Sequence, residues 1–275
     1  MKEHLTIGFS PCPNDTHIFC ALMHGWIPLS SCTFSPEVLA DVEQLNEWAM
    51  AGKFDVTKLS FHALGHVLDR YVMLDSGAAL GRGCGPLLVA ATPMASGNSG
   101  LGPDFSIAIP GRYTTASLLL QLYAPRCQKL VVMPFDQIMP AVAAGQVDGG
   151  LIIHESRFTF QQHGLHLLVD LGSWWEQETG LPIPLGCIAA RRSLDAEVRA
   201  EIEEAIRRSI LYARRHPAQC ASYIRTHAQE MDPEVMESHI DLYVNDFSLS
   251  LGKEGNAAVQ ELFCRARDAG VFAQS

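Results

Sequence analysis

Apolar runs of four to six residues recur along the first two thirds of the chain, at residues 5–9, 54–59, 87–91, 105–109, 130–133, 150–153 and 167–171. Runs of this length, bounded by turn formers or charge, predict buried strands rather than helices. Between them, apolar positions spaced three and four apart predict helices over residues 16–23, 38–51, 115–123 and 137–144. Strands alternating with helices predict an α/β architecture with largely parallel sheets. From about residue 194 the helical period runs alone, with candidate N-caps at Ser193 and Asp232 and a stop at His216-Pro217.

One pattern repeats. Ala51-Gly52-Lys53-Phe54-Asp55 closes an amphipathic segment and opens an apolar run, and Ala144-Gly145-Gln146-Val147-Asp148 does the same later in the chain. Upstream of each, an apolar run leads through a proline-containing turn into a helix, at Asp15-Thr16 and at Thr114-Thr115. The echo predicts two similar α/β lobes, each offering a helix N-terminus and the C-terminal end of a strand. Both features collect ligands in open α/β sheets, because unpaired N–H groups and the positive end of the helix dipole favour anions. Ser60 and His154, at the ends of the two corresponding strands, are expected to face one another across a cleft. The helical tail is expected to return to the first lobe.

Composition narrows the class. Of 275 residues, 48% are hydrophobic and 18% charged, enough apolar surface for a sizeable core and too much for a disordered chain. Twenty basic against thirty acidic residues give a net charge of −10, which disfavours nucleic acid as a partner. Residues 77–190 carry only 12 of these charges, so Arg112, Glu155 and Arg157 each stand out in a sparse region. No apolar run reaches the roughly 18 residues of a membrane span, and the N-terminal run is shorter than the roughly 7-residue core of a secretion signal, so a cytoplasmic protein is expected. The eight cysteines show no C-x-x-C pair and are expected to be mostly reduced and buried. The histidine pairs 62/66 and 163/166 lack carboxylate or thiolate partners at useful spacing, and the glycine-rich run 81–86 ends in Pro86 where a dinucleotide motif would open a helix. Neither a metal nor a nucleotide cofactor is expected.

His154 directly follows an apolar strand in the charge-poor middle of the chain, a position that suits a general base or a structural histidine. No serine or cysteine nucleophile motif accompanies it, so proton transfer is favoured over acyl transfer. Thr114, Thr115 and Ala116 open a predicted helix and could form an anion nest; a plain helix cap is the competing reading. Trp174-Trp175 and Pro182-Ile183-Pro184 suit packing better than an aromatic wall.

Seven ordered strings, SPCPNDTHIF (residues 10–19), DVEQLN (41–46), KLS (58–60), SGAALGRGCGPLLVA (76–90), IPGRYTTA (109–116), LIIHESRFTF (151–160) and DLGSWWEQETGLPIPLG (170–186), together resemble the 1,4-dihydroxy-6-naphthoate synthases of menaquinone biosynthesis. The resemblance extends over nearly the whole chain. It implies a two-lobed fold like the type 2 periplasmic binding proteins, each lobe a mixed, mostly parallel sheet flanked by helices, with lobes at residues 1–92 plus 191–275 and at 93–190. It also implies a lyase that acts on cyclic dehypoxanthinyl futalosine, a small carboxylated molecule, without metal or organic cofactor. His154 then falls on the family's proposed general base, and Lys58, Leu59, Ser60, Thr114, Thr115 and Ala116 on its substrate-contacting strings. His17 and Phe160 stand where the family is expected to carry an aromatic, often phenylalanine and tyrosine respectively, so no role is carried onto them. Two other readings compete: chorismate dehydratase, a sister enzyme of the same fold and pathway, and a non-catalytic binding protein for a small organic anion.

Overall fold

The computed structural model describes residues 2–93, 101–154, 156–228 and 232–272. In chain order these form β1 (Glu3–Leu5), β2 (Ile7–Phe9), α1 (Pro13–Met23), β3 (Cys32–Phe34), β4 (Val38–Leu39), α2 (Val42–Met50), β5 (Val56–Ser60) and α3 (Phe61–His66). There follow β6 (Tyr71–Met73), β7 (Ala79–Gly81), β8 (Leu87–Ala90), β9 (Ile107–Ile109), α4 (Thr115–Tyr123), β10 (Leu130–Val132), α5 (Phe135–Ala143) and β11 (Gly149–Ile152). A short α6 (Ser156–Thr159), β12 (His166–Asp170), α7 (Leu171–Thr179) and β13 (Ile183–Arg191) lead into the all-helical end, α8 (Ala196–Arg215), α9 (Pro217–His227), α10 (Pro233–Tyr243), α11 (Asp246–Leu249) and α12 (Gly252–Asp268).

Two mixed sheets carry the fold. One runs β4-β2-β5-β13-β6, with β7 also on β13; the other runs β10-β9-β11-β8-β12. In the first, β4, β2 and β5 are parallel, while β13 pairs antiparallel with β5, β6 and β7. In the second, β10, β9 and β11 are parallel, and β8 is antiparallel to both β11 and β12. Antiparallel pairing therefore has a larger share than strand-helix alternation predicts. The reasons are β8, which runs against both its neighbours, and β13, where the segment at Pro182-Ile183-Pro184 expected to serve packing opens a nine-residue strand inserted between β5 and β6.

The repeat has a common physical basis. Asp55 accepts hydrogen bonds at Oδ2 from Thr6 N (2.8 Å) and Thr6 Oγ1 (2.7 Å), and its own N–H donates to Thr6 Oγ1 (3.0 Å). Asp148 accepts from Ser106 N (2.8 Å) and Ser106 Oγ (2.6 Å), and its N–H donates to Ser106 Oγ (3.0 Å). Each aspartate thus locks the entrance of one parallel strand to the entrance of its neighbour. The glycines three positions earlier, Gly52 and Gly145, sit at φ +68° and +66°, the left-handed conformation that ends the preceding helix without Cβ strain.

Several elements differ from expectation. The helix expected from residue 38 begins at Val42, because Asp41 caps it by accepting from Glu43 N (2.8 Å) and Val38 and Leu39 are drawn into a parallel pairing with Gly8 and Phe9. The long tail helix is capped at Asp195 rather than Ser193, while Asp232 and the His216-Pro217 break stand where the sequence places them. Cys20 and Cys220 form a disulfide between α1 and α9, Cα atoms 5.9 Å apart, whereas the sequence suggested no bridge; residues 200 apart in sequence leave no spacing signal. Cys12, Cys32, Cys84, Cys127 and Cys187 are buried free thiols.

One apolar core holds Ile7, Phe9, Ile18, Phe19, Val56 and Ile188 against Ile202, Ile206 and Ile210 of α8, so the tail packs on the first sheet. A second core gathers Leu59, Phe61, Tyr71, Leu88, Ile107, Leu119, Trp175 and Leu262 from both sheets. Trp175 is fully buried and donates from Nε1 to Pro182 O (3.0 Å), a packing role. A third core lies under α5. No helix among the described residues is long and apolar enough to cross a membrane.

Candidate functional site

A cavity opens where the two sheets meet. Ser60, Lys58, Leu185 and Gly186 line it from β5 and β13, Ser10, Asn14 and Asp15 from the start of α1, and Thr114, Thr115 and Ala116 from the start of α4. Ile153 and His154 follow β11, and His239 and Tyr243 enter from α10. Six of the seven residues singled out in the sequence thus meet in one place. Leu59 alternates to the opposite face of its strand and is fully buried in the apolar core.

His154 sits at φ +57°, the one left-handed non-glycine among the described residues. That conformation costs roughly 1–2 kcal/mol for a residue with a Cβ, a strain the surrounding structure sustains at functional positions more often than elsewhere. Cys12 Sγ lies 3.4 Å from His154 Nδ1, and the rings of Phe135 and His239 stand 5.0 Å and 6.3 Å from the imidazole. Glu155, expected as a partner of Arg157, lies outside the described residues. Arg157 pairs instead with Asp170 (2.8 Å) and donates to the carbonyls of Gly83 and Gly85, tying α6 to the loop before β8.

The α1 and β5 side of the cavity is electrostatically closed on itself. Lys58 and Asp15 form an ion pair with side chains 7% and 1% exposed, and Asp15 also accepts from Ser10 Oγ (2.7 Å) and Asn14 Nδ2 (2.8 Å). A buried pair persists only when its remaining lone pairs and protons are satisfied in this way. Of the basic residues Lys58, Arg112 and Arg157, Lys58 lines the cavity, Arg157 is held by Asp170, and Arg112 is exposed on the surface.

At the start of α4 the hydroxyls have structural work. Thr114 Oγ1 accepts from Ser117 N (3.2 Å) as the helix cap and donates to Gly111 O (2.9 Å). Thr115 Oγ1 donates to Leu185 O, fastening α4 to β13. What α4 offers a ligand is therefore the backbone N–H groups of its first turn, which have no intrahelical acceptor. The backbone just before them is fixed by Glu43, whose carboxylate accepts from Tyr113 N (2.9 Å). Glu43 also accepts from Asn46 Nδ2 (3.1 Å), and Asn46 bonds both Ser60 N and Ser60 Oγ. Burial pushes the Glu43 carboxyl above its ordinary range. A Cβ on Gly111 would come within 2.3 Å of that carboxyl, so this approach requires glycine. Glu43, Asn46, Asn14, Asp15, Cys12 and His239 were not identified from the sequence; the strings SPCPNDT and DVEQLN contained five of them.

Among the described residues no cluster of three or more histidine, cysteine or acidic side chains could hold a metal ion. Two mixed sheets meeting at a cavity lined from both define an α/β protein of the periplasmic-binding-protein kind. The periplasmic aliphatic sulphonate binding protein of Escherichia coli superposes with a TM-score of 0.66 at 14% identity, over 100% of this chain and 90% of that one, a likeness of fold alone. The chain belongs to the menaquinone biosynthesis family, whose model matches residues 5–268. It is 52% identical over 273 residues to the 1,4-dihydroxy-6-naphtoate synthase of Thermus thermophilus, covering 99% of this chain and 97% of that protein. A solved structure of an Archaeoglobus fulgidus protein, 34% identical, superposes with a TM-score of 0.90 over 98% of both chains.

Proposed function

We propose that this chain is a carbon–carbon lyase of menaquinone biosynthesis that converts cyclic dehypoxanthinyl futalosine to 1,4-dihydroxy-6-naphthoate. The observation that carries the reading is the meeting of His154, held in a strained conformation against Cys12, with the open first turn of α4 in a single cavity. A carboxylate suits the α4 N–H groups and the positive end of that helix. His154 is the proposed base, taking a proton beside a carbonyl; the electrons released then drive carbon–carbon cleavage and aromatisation. Preorganised N–H donors stabilise the enolate that forms, and the cavity walls hold the substrate in reacting geometry. The substrate contacts proposed are those of Ser60, Thr114, Thr115 and Ala116, with Lys58 as the near cation. For the lobes expected at residues 1–92 plus 191–275 and at 93–190, sheet membership favours shifted crossings, between β7 and β8 and between β12 and β13, since β8 belongs to the second sheet and β13 to the first; the cytoplasm is the proposed compartment.

The test is direct. Purified chain incubated with cyclic dehypoxanthinyl futalosine, with no cofactor added, is expected to yield 1,4-dihydroxy-6-naphthoate by chromatography. No turnover by folded protein would overturn the assignment.

A further inference from the structure

His239 comes from the helical tail, far in sequence from every other residue at the cavity, and neither its spacing nor the resemblance assigns it a role. It is 1% exposed and lines the cavity. Its Nε2 lies 3.0 Å from Asn14 Oδ1, while its Nδ1 is buried with no hydrogen-bond partner. A buried polar atom left in that condition costs free energy unless something outside the chain satisfies it.

The hydrogen bonds around Asn14 determine what Nδ1 can accept. Asn14 Nδ2 donates to Asp15 Oδ1 (2.8 Å), an atom that also receives Lys58 Nζ. The carboxylate only accepts, so the amide nitrogen must face Asp15 and the amide oxygen must face His239. That oxygen only accepts in turn, so the proton of the imidazole is on Nε2. Burial, aided by the nearby His154 and Lys58, pushes the His239 pKa down to about 3, which keeps the ring neutral with a single proton. Nδ1 is therefore a lone pair waiting for a donor.

We propose that His239 Nδ1 accepts a hydrogen bond from a hydroxyl of the bound ligand and so determines which way round the ligand lies. The inference rests on the function proposed above, whose product carries two ring hydroxyls and one carboxylate. A carboxylate offers no proton to Nδ1 and is matched instead by the N–H groups at Thr115 and Ala116. The cavity is thus polar in a directional sense, with donors at the α4 end and an acceptor at the α10 end.

Calorimetry with two ligands, 1,4-dihydroxy-6-naphthoate and 2-naphthoate, which lacks the hydroxyls, isolates this contact. The unmodified chain is expected to prefer the dihydroxylated ligand by about three- to tenfold, the yield of one neutral hydrogen bond. His239→Phe should bring that preference close to one. His239→Asn, whose amide oxygen can take the place of Nδ1, should retain most of it, and His239→Gln, which can keep the donor to Asn14 but not the Nδ1 acceptor, should lose it. A preference unchanged in both His239→Phe and His239→Gln would overturn the proposal, as would nitrogen-15 resonances of the unmodified chain showing the proton on Nδ1. The tautomer readout needs no substrate. Absence of turnover by the unmodified chain would count against the lyase reading and leave these measurements to decide the role of His239.

Discussion

The sulfur of Cys12 lies 3.4 Å from Nδ1 of His154, joining the start of α1 to the end of β11 across 142 residues of sequence. Cys12 is also the N-cap of α1, flanked by Pro11 and Pro13, so its position is set by a stiff turn rather than by the site. A thiol against Nδ1 fixes the ring's rotation and biases which nitrogen carries the proton. His154→Asn should lower kcat by roughly 10²- to 10⁴-fold, the range of a lost general base, while calorimetry still detects product binding. Cys12→Ala should lower kcat by about tenfold and move the pH–rate profile, with KM little changed. A Cys12→Ala enzyme with an unaltered pH profile would show that the thiol merely fills space.

Thr114→Ala removes the cap of α4 and should cost about 1 kcal/mol in urea unfolding. It should also raise KM, because the N–H groups that face the ligand belong to the same turn. Thr115→Ala is expected to act alike, through the lost bond to Leu185 O rather than through a lost contact to the substrate.

Gly111→Ala forces a methyl group into the Glu43 carboxyl. The chain Glu43–Asn46–Ser60, which couples the α4 entrance to β5, would be displaced. Steady-state kinetics should show KM raised by tenfold or more. Glu43→Gln, which keeps the volume and an acceptor, should show a smaller rise.

Acid stability follows from three buried imidazoles. Burial pushes His17 and His62 down to about 4 and His239 to about 3, with Arg214 adding to the effect on His17. In the unfolded chain each takes up a proton below about pH 6.5, whereas in the fold each stays neutral to about pH 4. Between those values the unfolded state binds more protons, so stability must fall as pH falls. Each imidazole adds to that loss, which grows as the pH approaches 4. Urea midpoints measured from pH 7 to pH 4 should decline steadily, and replacing His62 with Gln should flatten the curve.

The Cys20–Cys220 bond gives a simple chemical count. Titration of the denatured, unreduced chain should find six thiols, the number of free cysteines, and eight after reduction. In a reducing cytoplasm the pair would open, releasing α9 from α1. Because α1 also positions Cys12, Asn14 and Asp15, kcat should be measured in both states.

Local periodicity revealed the strands that sit in sheet centres, such as β5, β9 and β11, since burial on both faces leaves an unbroken apolar run. It missed β13, whose Pro184 and Gly186 read as a turn and whose pairing partners lie more than 100 residues upstream. The candidate site was legible where strand ends and helix starts are marked locally, at Ser60, Thr114 and His154. Asn14, Asp15 and His239 carry no such local mark. Their roles depend on contacts between α1, β5 and α10, which no window of sequence contains.

The matched clamps of Asp55 on Thr6 and Asp148 on Ser106 give the two sheets a common local plan, with one helix start of each, α1 and α4, lining the cavity. Helix position breaks the equivalence. The third residue of α1 is Asp15 and that of α4 is Ser117. At α1 the chain's own carboxylate, neutralised by Lys58, lies against the helix start, whereas the third residue of α4 carries no charge. A single acidic side chain thereby makes two otherwise matched helix starts electrostatically unlike.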